Sequence, residues 1–86
     1  MGRFDDDRLE EIYYYGDTDG VLAADCAIIQ RKLHILNAIQ GWTTLPLVGK
    51  PLPAGAGRTG IAATGSWRIT FDWYEGAGAA GLRLEP

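Results

Sequence analysis

The fold class predicted by this sequence is α+β, with two N-terminal helices packed on a small twisted antiparallel sheet. Three observations predict it. In "GSWRITFDWYEG", residues 65–76, Trp67, Ile69, Phe71 and Trp73 alternate with Arg68, Thr70, Asp72 and Tyr74. That is the period of a strand, whose successive side chains point to opposite faces. Leu22, Cys26, Ile29, Leu33 and Leu36 recur at spacings of 4, 3, 4 and 3, the period of an amphipathic helix. Between these two patterns lies a stretch rich in proline and glycine, so helices come first and strands follow. Packing the helical stripe on the Trp67/Ile69/Phe71/Trp73 face makes a two-layer domain and leaves the Arg68/Thr70/Asp72/Tyr74 face open.

The first helix is "FDDDRLEEIYYYG", in which Leu9, Ile12 and Tyr13 form one apolar stripe. Asp5, Asp6 and Asp7 supply a cap and negative charge suited to the positive end of the helix dipole. Gly16 is a C-terminal stop and "GDTDG" a turn, which makes the two helices an antiparallel hairpin. Three adjacent tyrosines cannot share one helical face, so Tyr13 is assigned to the core and Tyr14 and Tyr15 to the surface. In the second helix Ile28, Ile35 and Ile39 are expected to widen the apolar stripe, with Gln30, Arg31, His34 and Asn37 opposite and Gly41 at the end.

From Trp42 to Gly60 the chain holds three of its four prolines and four glycines, which reads as loop with a short edge strand. "RTGIAATG" is a weak strand, Trp67–Tyr74 the strong one, "EGAG" a turn and "AAGLRLE" a last strand.

At 86 residues the chain is expected to be a single domain, residues 1–86, because a second core would be too small to hold itself together. A composition of 47% hydrophobic and 22% charged residues is globular, and no apolar run reaches the ~20 residues of a membrane span. The acidic, polar N-terminus has the form of neither a secretory signal nor a transit peptide, so a cytoplasmic location is expected. The single cysteine, Cys26, excludes an internal disulfide and builds no thiolate metal site by itself; it fits the apolar stripe. A net charge of −3 argues against strong sequence-independent binding to nucleic acid, which draws on cations displacing counterions. Any such role requires the eight Lys and Arg residues to be gathered locally.

Arg68 is the residue best placed for chemistry, since a guanidinium on an uncovered sheet face presents a planar fork suited to phosphate. The alternative is an ordinary surface arginine paired with Asp72 or a cross-strand carboxylate. His34 is the only histidine, but its mid-helix polar position reads as a solvated side chain. "GAGRTG" lacks the lysine and the strand–loop–helix context of a phosphate loop. The sequence holds no Cys/His metal set, no paired carboxylates at a useful spacing, and nothing that calls for a cofactor.

The order "RLEEIYYYGDTDGV", "LPLVGKPLP" and "GSWRITFDWYEG" resembles the plasmid-maintenance killer toxins, the HigB family within the RelE-like superfamily. The family reads Gly-Leu-Glu-x-aromatic-aromatic-x-x-Gly in the first helix and Leu-x-x-Leu-x-Ala in the second. It has His-Pro-Leu-Lys-Gly in the loop and Asn-Gly-x-Trp-Arg-(Ile/Leu)-x-Phe in the central strand. The resemblance covers roughly residues 3–76, and its most specific piece is "TGSWRITFDWYEG". It implies a type II toxin that enters the ribosomal A site and cleaves messenger RNA without a metal, silenced by a helix-turn-helix antitoxin. Arg68 matches the phosphate-stabilising strand arginine. Lys50 stands where the loop histidine would be and Pro53 where the loop lysine would be, with Arg58 the nearby cation able to replace it. The chain ends "GLRLEP" where many members end Asp-Tyr-His. The resemblance therefore implies either a ribosome-dependent endoribonuclease of weakened activity or a degenerate homologue that binds a protein partner without cleaving RNA. Lys50, Arg58 and Arg68 are expected to converge on one side of the domain, with Asp5, Asp6, Asp7, Asp17 and Asp19 away from it.

Overall fold

The computed structural model describes residues 4–39, 49–55 and 57–86. Two helices are followed by four strands: α1 Asp7–Tyr15, α2 Ala23–Ala38, β1 Leu52–Pro53, β2 Thr59–Ala62, β3 Arg68–Tyr74 and β4 Gly78–Glu85. The strands form one antiparallel sheet in the order β1-β2-β3-β4, so the expected α+β architecture is present.

The helix ends follow the local chemistry of the sequence. Asp6 is the N-cap of α1, and its carboxylate accepts from the Arg8 backbone N–H at 3.0 Å. Gly16 closes the helix in the left-handed region, φ 78°, and donates its N–H to Ile12 O; glycine takes this conformation without a Cβ clash. Helix α2 ends on Ala38, with Ile39 as C-cap. The expected stop at Gly41 lies outside the described residues, as does Trp42.

Leu9 and Ile12 of α1 and Cys26, Ile29, Leu33 and Leu36 of α2 are completely buried against Ile61, Ile69, Phe71, Leu82 and Leu84 of the sheet. Burying side chains of this size contributes about 1.5–3 kcal/mol each relative to leaving them exposed. Tyr13 packs against the core while Tyr14 and Tyr15 are exposed, as the crowding of three tyrosines on one short helix requires.

Three expectations about the core are corrected. Leu22 precedes α2 as its N-cap and is 74% exposed, so it begins the stripe in sequence but lies beyond it in space. Ile28 and Ile35 do not widen the buried stripe; both are exposed, because they lie near the side of the helix turned away from the sheet. Trp67, just before β3, and Trp73, near its end, are only partly buried, leaving Ile69 and Phe71 as the strand's fully buried residues on that face. The Trp67 indole is partly covered by the Arg8 guanidinium, 5.4 Å from its ring centroid.

Two features were not anticipated from the sequence. The lead into α1 lies along the open edge of β4: Phe4 forms a parallel bridge with Leu82, and Asp5 N–H donates to Leu82 O at 2.9 Å. The β3–β4 register also shifts between Thr70 and Asp72, beside Gly81 with its φ of 61°. A bulge of this kind bends the strand and re-aims what lies beside it.

Candidate functional site

Register fixes the polar face of the sheet. Gly60 and Ala62 of β2 stand beside Thr70 and Arg68, and Glu85, Arg83 and Ala80 of β4 stand across from Arg68, Thr70 and Asp72. Because side chains alternate, these residues share the face opposite the helices. The face is tightly built at its centre. Thr70 is fully buried, and its hydroxyl donates to Glu85 Oε2 at 2.6 Å. A Cβ on Gly60 would lie 3.4 Å from Ala54 Cβ and 3.5 Å from Thr70 Cγ2.

Arg58, from the turn that leads into β2, reaches onto this face and is held there. Its Nη1 pairs with Asp72 Oδ2 at 3.2 Å and its Nη2 donates to Gly81 O at 2.5 Å. Only 13% of its side chain is exposed. Its Nε is buried without a hydrogen-bond partner among the described residues. A guanidinium with both terminal nitrogens committed has little left to offer a phosphate. Its role here is to tie β2 across β3 to the bulge in β4.

Arg68 is the contrasting case. It begins β3, is exposed, and makes no side-chain hydrogen bond or ion pair among the described residues. Asp72, weighed as its partner, belongs to Arg58 instead. The cross-strand neighbour of Arg68 is Glu85, and residues directly opposite in an antiparallel pair have Cβ atoms about 4.5–5.5 Å apart. Strand β4 thus gives Arg68 an ionisable neighbour. Glu85 was missed because only the strand register, which the sequence does not state, brings residue 85 to residue 68.

Of the three cations expected to converge, Arg58 and Arg68 share the polar face, and the Asp72 that holds Arg58 is four residues along β3 from Arg68, roughly 13 Å at strand rise. Lys50 is exposed, two residues before β1, and makes no hydrogen bond or ion pair among the described residues. The segment after it, Pro51, Leu52 and Pro53, lines an open cavity of about 390 Å³ with Gly57, Arg58 and Thr59. Pro53, at the family's lysine position, is part of β1. Nor does Asp5 stay away from the cations. Its Oδ2 lies 3.6 Å from Arg83 Nη2 and, like Asp72 Oδ2, 3.3 Å from where a Cβ on Gly81 would be.

The remaining candidates lie in the helical layer. His34 is exposed and stacks on Tyr13, with ring centroids 4.5 Å apart, on the other side of the sheet from Arg68. Cys26 is buried, and burial pushes its thiol above the ordinary range, the behaviour of a structural cysteine. Among the described residues no group of three or more His, Cys, Asp or Glu side chains could hold a metal ion. Also among them, no helix is long and apolar enough to cross a membrane. No protein-family model matches the chain, and no curated protein matches it.

Proposed function

We propose that this chain is a HigB-like toxin, a weakened endoribonuclease acting on ribosome-bound messenger RNA and silenced by a helix-turn-helix antitoxin. The observation that carries the reading is the exposed Arg68 guanidinium, without a hydrogen bond or ion pair among the described residues, on the polar sheet face directly across from Glu85. The two-helix, antiparallel-sheet architecture is the one the resemblance implies.

In the proposed reaction the ribose 2′-hydroxyl attacks the adjacent phosphorus as its proton passes to a base. The P–O5′ bond breaks, leaving a cyclic phosphate, and the departing oxygen takes a proton from an acid. Arg68 stabilises the charge on the phosphate oxygens, which is worth ~10²–10³ in rate for a well-aimed donor. Glu85, across the strand pair from Arg68, is the carboxylate proposed to accept the proton. The departing oxygen lacks a comparable donor beside Arg68 among the described residues, since Arg58 is committed to Asp72, Tyr74 lies at the far end of β3 and His34 lies in the other layer. An arginine gives up a proton too reluctantly at neutral pH to serve. Slow cleavage follows.

The commitment of Arg58 also favours a second reading, in which the domain binds its protein partner without cleaving RNA. Inducing the chain alone, with growth and bulk translation followed, separates the two. The first reading gives a partial slowing that disappears in Arg68→Ala; no slowing supports the second. Full-strength arrest, or slowing indifferent to Arg68→Ala, contradicts the assignment of roles.

A further inference from the structure

Arg68 faces a carboxylate that it does not take. Its cross-strand neighbour is Glu85, yet no ion pair among the described residues includes either side chain. Opposite charges placed directly across an antiparallel pair stand close enough to attract. Something holds Glu85 back.

The holder is Thr70. It is completely buried, and its hydroxyl donates to Glu85 Oε2 at 2.6 Å. The register gives this bond its direction. Thr70 stands opposite Arg83, so Glu85, two residues further along β4, is its diagonal neighbour. Diagonal neighbours lie about 7–8 Å apart, within reach of a long side chain. Packing fixes the hydroxyl as well. Thr70 Cγ2 lies on the β2 side, 3.5 Å from where a Cβ on Gly60 would be, and β4 flanks β3 on the other side.

Energetics favours the same choice of partner. A buried hydroxyl that loses its acceptor has no water to replace it, whereas an exposed guanidinium that gives up a carboxylate is solvated at once. The carboxylate therefore goes to Thr70, and Arg68 keeps its donors.

We propose that Thr70 is a positioning residue: by holding Glu85 on the diagonal, it keeps the Arg68 guanidinium open to an incoming phosphate. Its bearing on RNA rests on the endoribonuclease reading; the phosphate site at Arg68 does not.

The test follows, by NMR of isotope-labelled protein, how fast the Arg68 guanidinium rotates about its Nε–Cζ bond, a motion that pairing slows. Glu85→Gln should leave the wild-type rate unchanged, because no pair exists to break. Thr70→Val removes the hydroxyl and keeps the shape, so rotation should slow as Glu85 turns to Arg68. Adding Glu85→Gln to Thr70→Val should restore the wild-type rate, and Thr70→Ser should never lose it. Inorganic phosphate should half-titrate the Arg68 signal of the wild type at ~5-fold lower concentration than that of Thr70→Val, the factor an exposed ion pair supplies. Cleavage of ribosome-bound messenger RNA should be ~5-fold slower in Thr70→Val than in the wild type or Thr70→Ser. Equal rotation rates, or equal phosphate titrations, in the wild type and Thr70→Val would overturn the proposal. So would faster rotation in Glu85→Gln alone, a result that needs no Thr70 variant to fold. A wild-type chain that cleaves nothing while the NMR results are as expected removes the endoribonuclease reading and supports the proposal.

Discussion

Four donors converge on the carboxylate of Asp6: Arg8 N and Nε reach Oδ1 at 3.0 and 3.2 Å, and Arg8 Nη2 and Leu84 N reach Oδ2 at 2.9 and 3.1 Å. One side chain thereby caps α1 and ties its start to the edge of β4. Burial alone would raise its pKa, but the hydrogen bonds from Arg8 and Leu84 outweigh it and hold the group below its usual 3.8. A depressed folded-state pKa contributes stability that is present above the unfolded value and lost as pH falls through the folded one. The wild-type chain should therefore lose stability on acidification below about pH 4, and Asp6→Asn should show a flatter dependence there, measured by thermal melts across that range. Asp6→Ala should cost about 0.5–2 kcal/mol through the lost cap at neutral pH. Arg58 and Arg68 should differ in the same assay. Arg58→Ala removes charge-assisted bonds to Asp72 and Gly81 and should cost about 1.5–3 kcal/mol, whereas Arg68→Ala, with no partner to lose among the described residues, should leave the melting temperature within experimental error.

At the scale of elements, α2 and β3 were legible for different reasons and to different depths. The 4-3-4-3 spacing located the buried side of α2 because only a core-facing stripe repeats that way. Ile28 and Ile35 defeated the same reasoning, since an apolar residue on the solvent side looks identical in sequence to one that widens the stripe. A pair of substitutions one residue apart tests the distinction: Ile29→Ala should cost about 2–5 kcal/mol, and Ile28→Ala, removing a side chain already 40% exposed, should cost much less. In β3 the alternation identified Ile69 and Phe71, and Phe71→Ala should lower stability by about 3–5 kcal/mol. An unchanged melting midpoint would mean that the strand's register is wrong. Alternation could not reveal which residue faces which across the sheet, because that depends on the turn at residues 75–77 and on the bulge near Gly81. Hence Arg68 was found from sequence, while its neighbour Glu85 and the Arg58–Asp72 pair were not.

For the molecule as a whole, the order of helices and strands follows from composition and period, but the placement of the charges depends on tertiary contacts. An acidic chain can still carry a phosphate site if a cation is left uncommitted where a backbone can approach it. Here Arg58 is committed, Arg83 is close to Asp5 and Arg8 is bound to Asp6, whereas Arg68, across from Glu85, has no ion-pair partner among the described residues. The decisive measurement is cleavage of messenger RNA on purified ribosomes by the wild-type chain, Arg68→Ala and Glu85→Gln, each checked for an unchanged fold by circular dichroism. The expected result is slow cleavage that falls ~10²-fold or more in Arg68→Ala and by a similar factor in Glu85→Gln. Cleavage that proceeds at the same rate without the Arg68 guanidinium would contradict it.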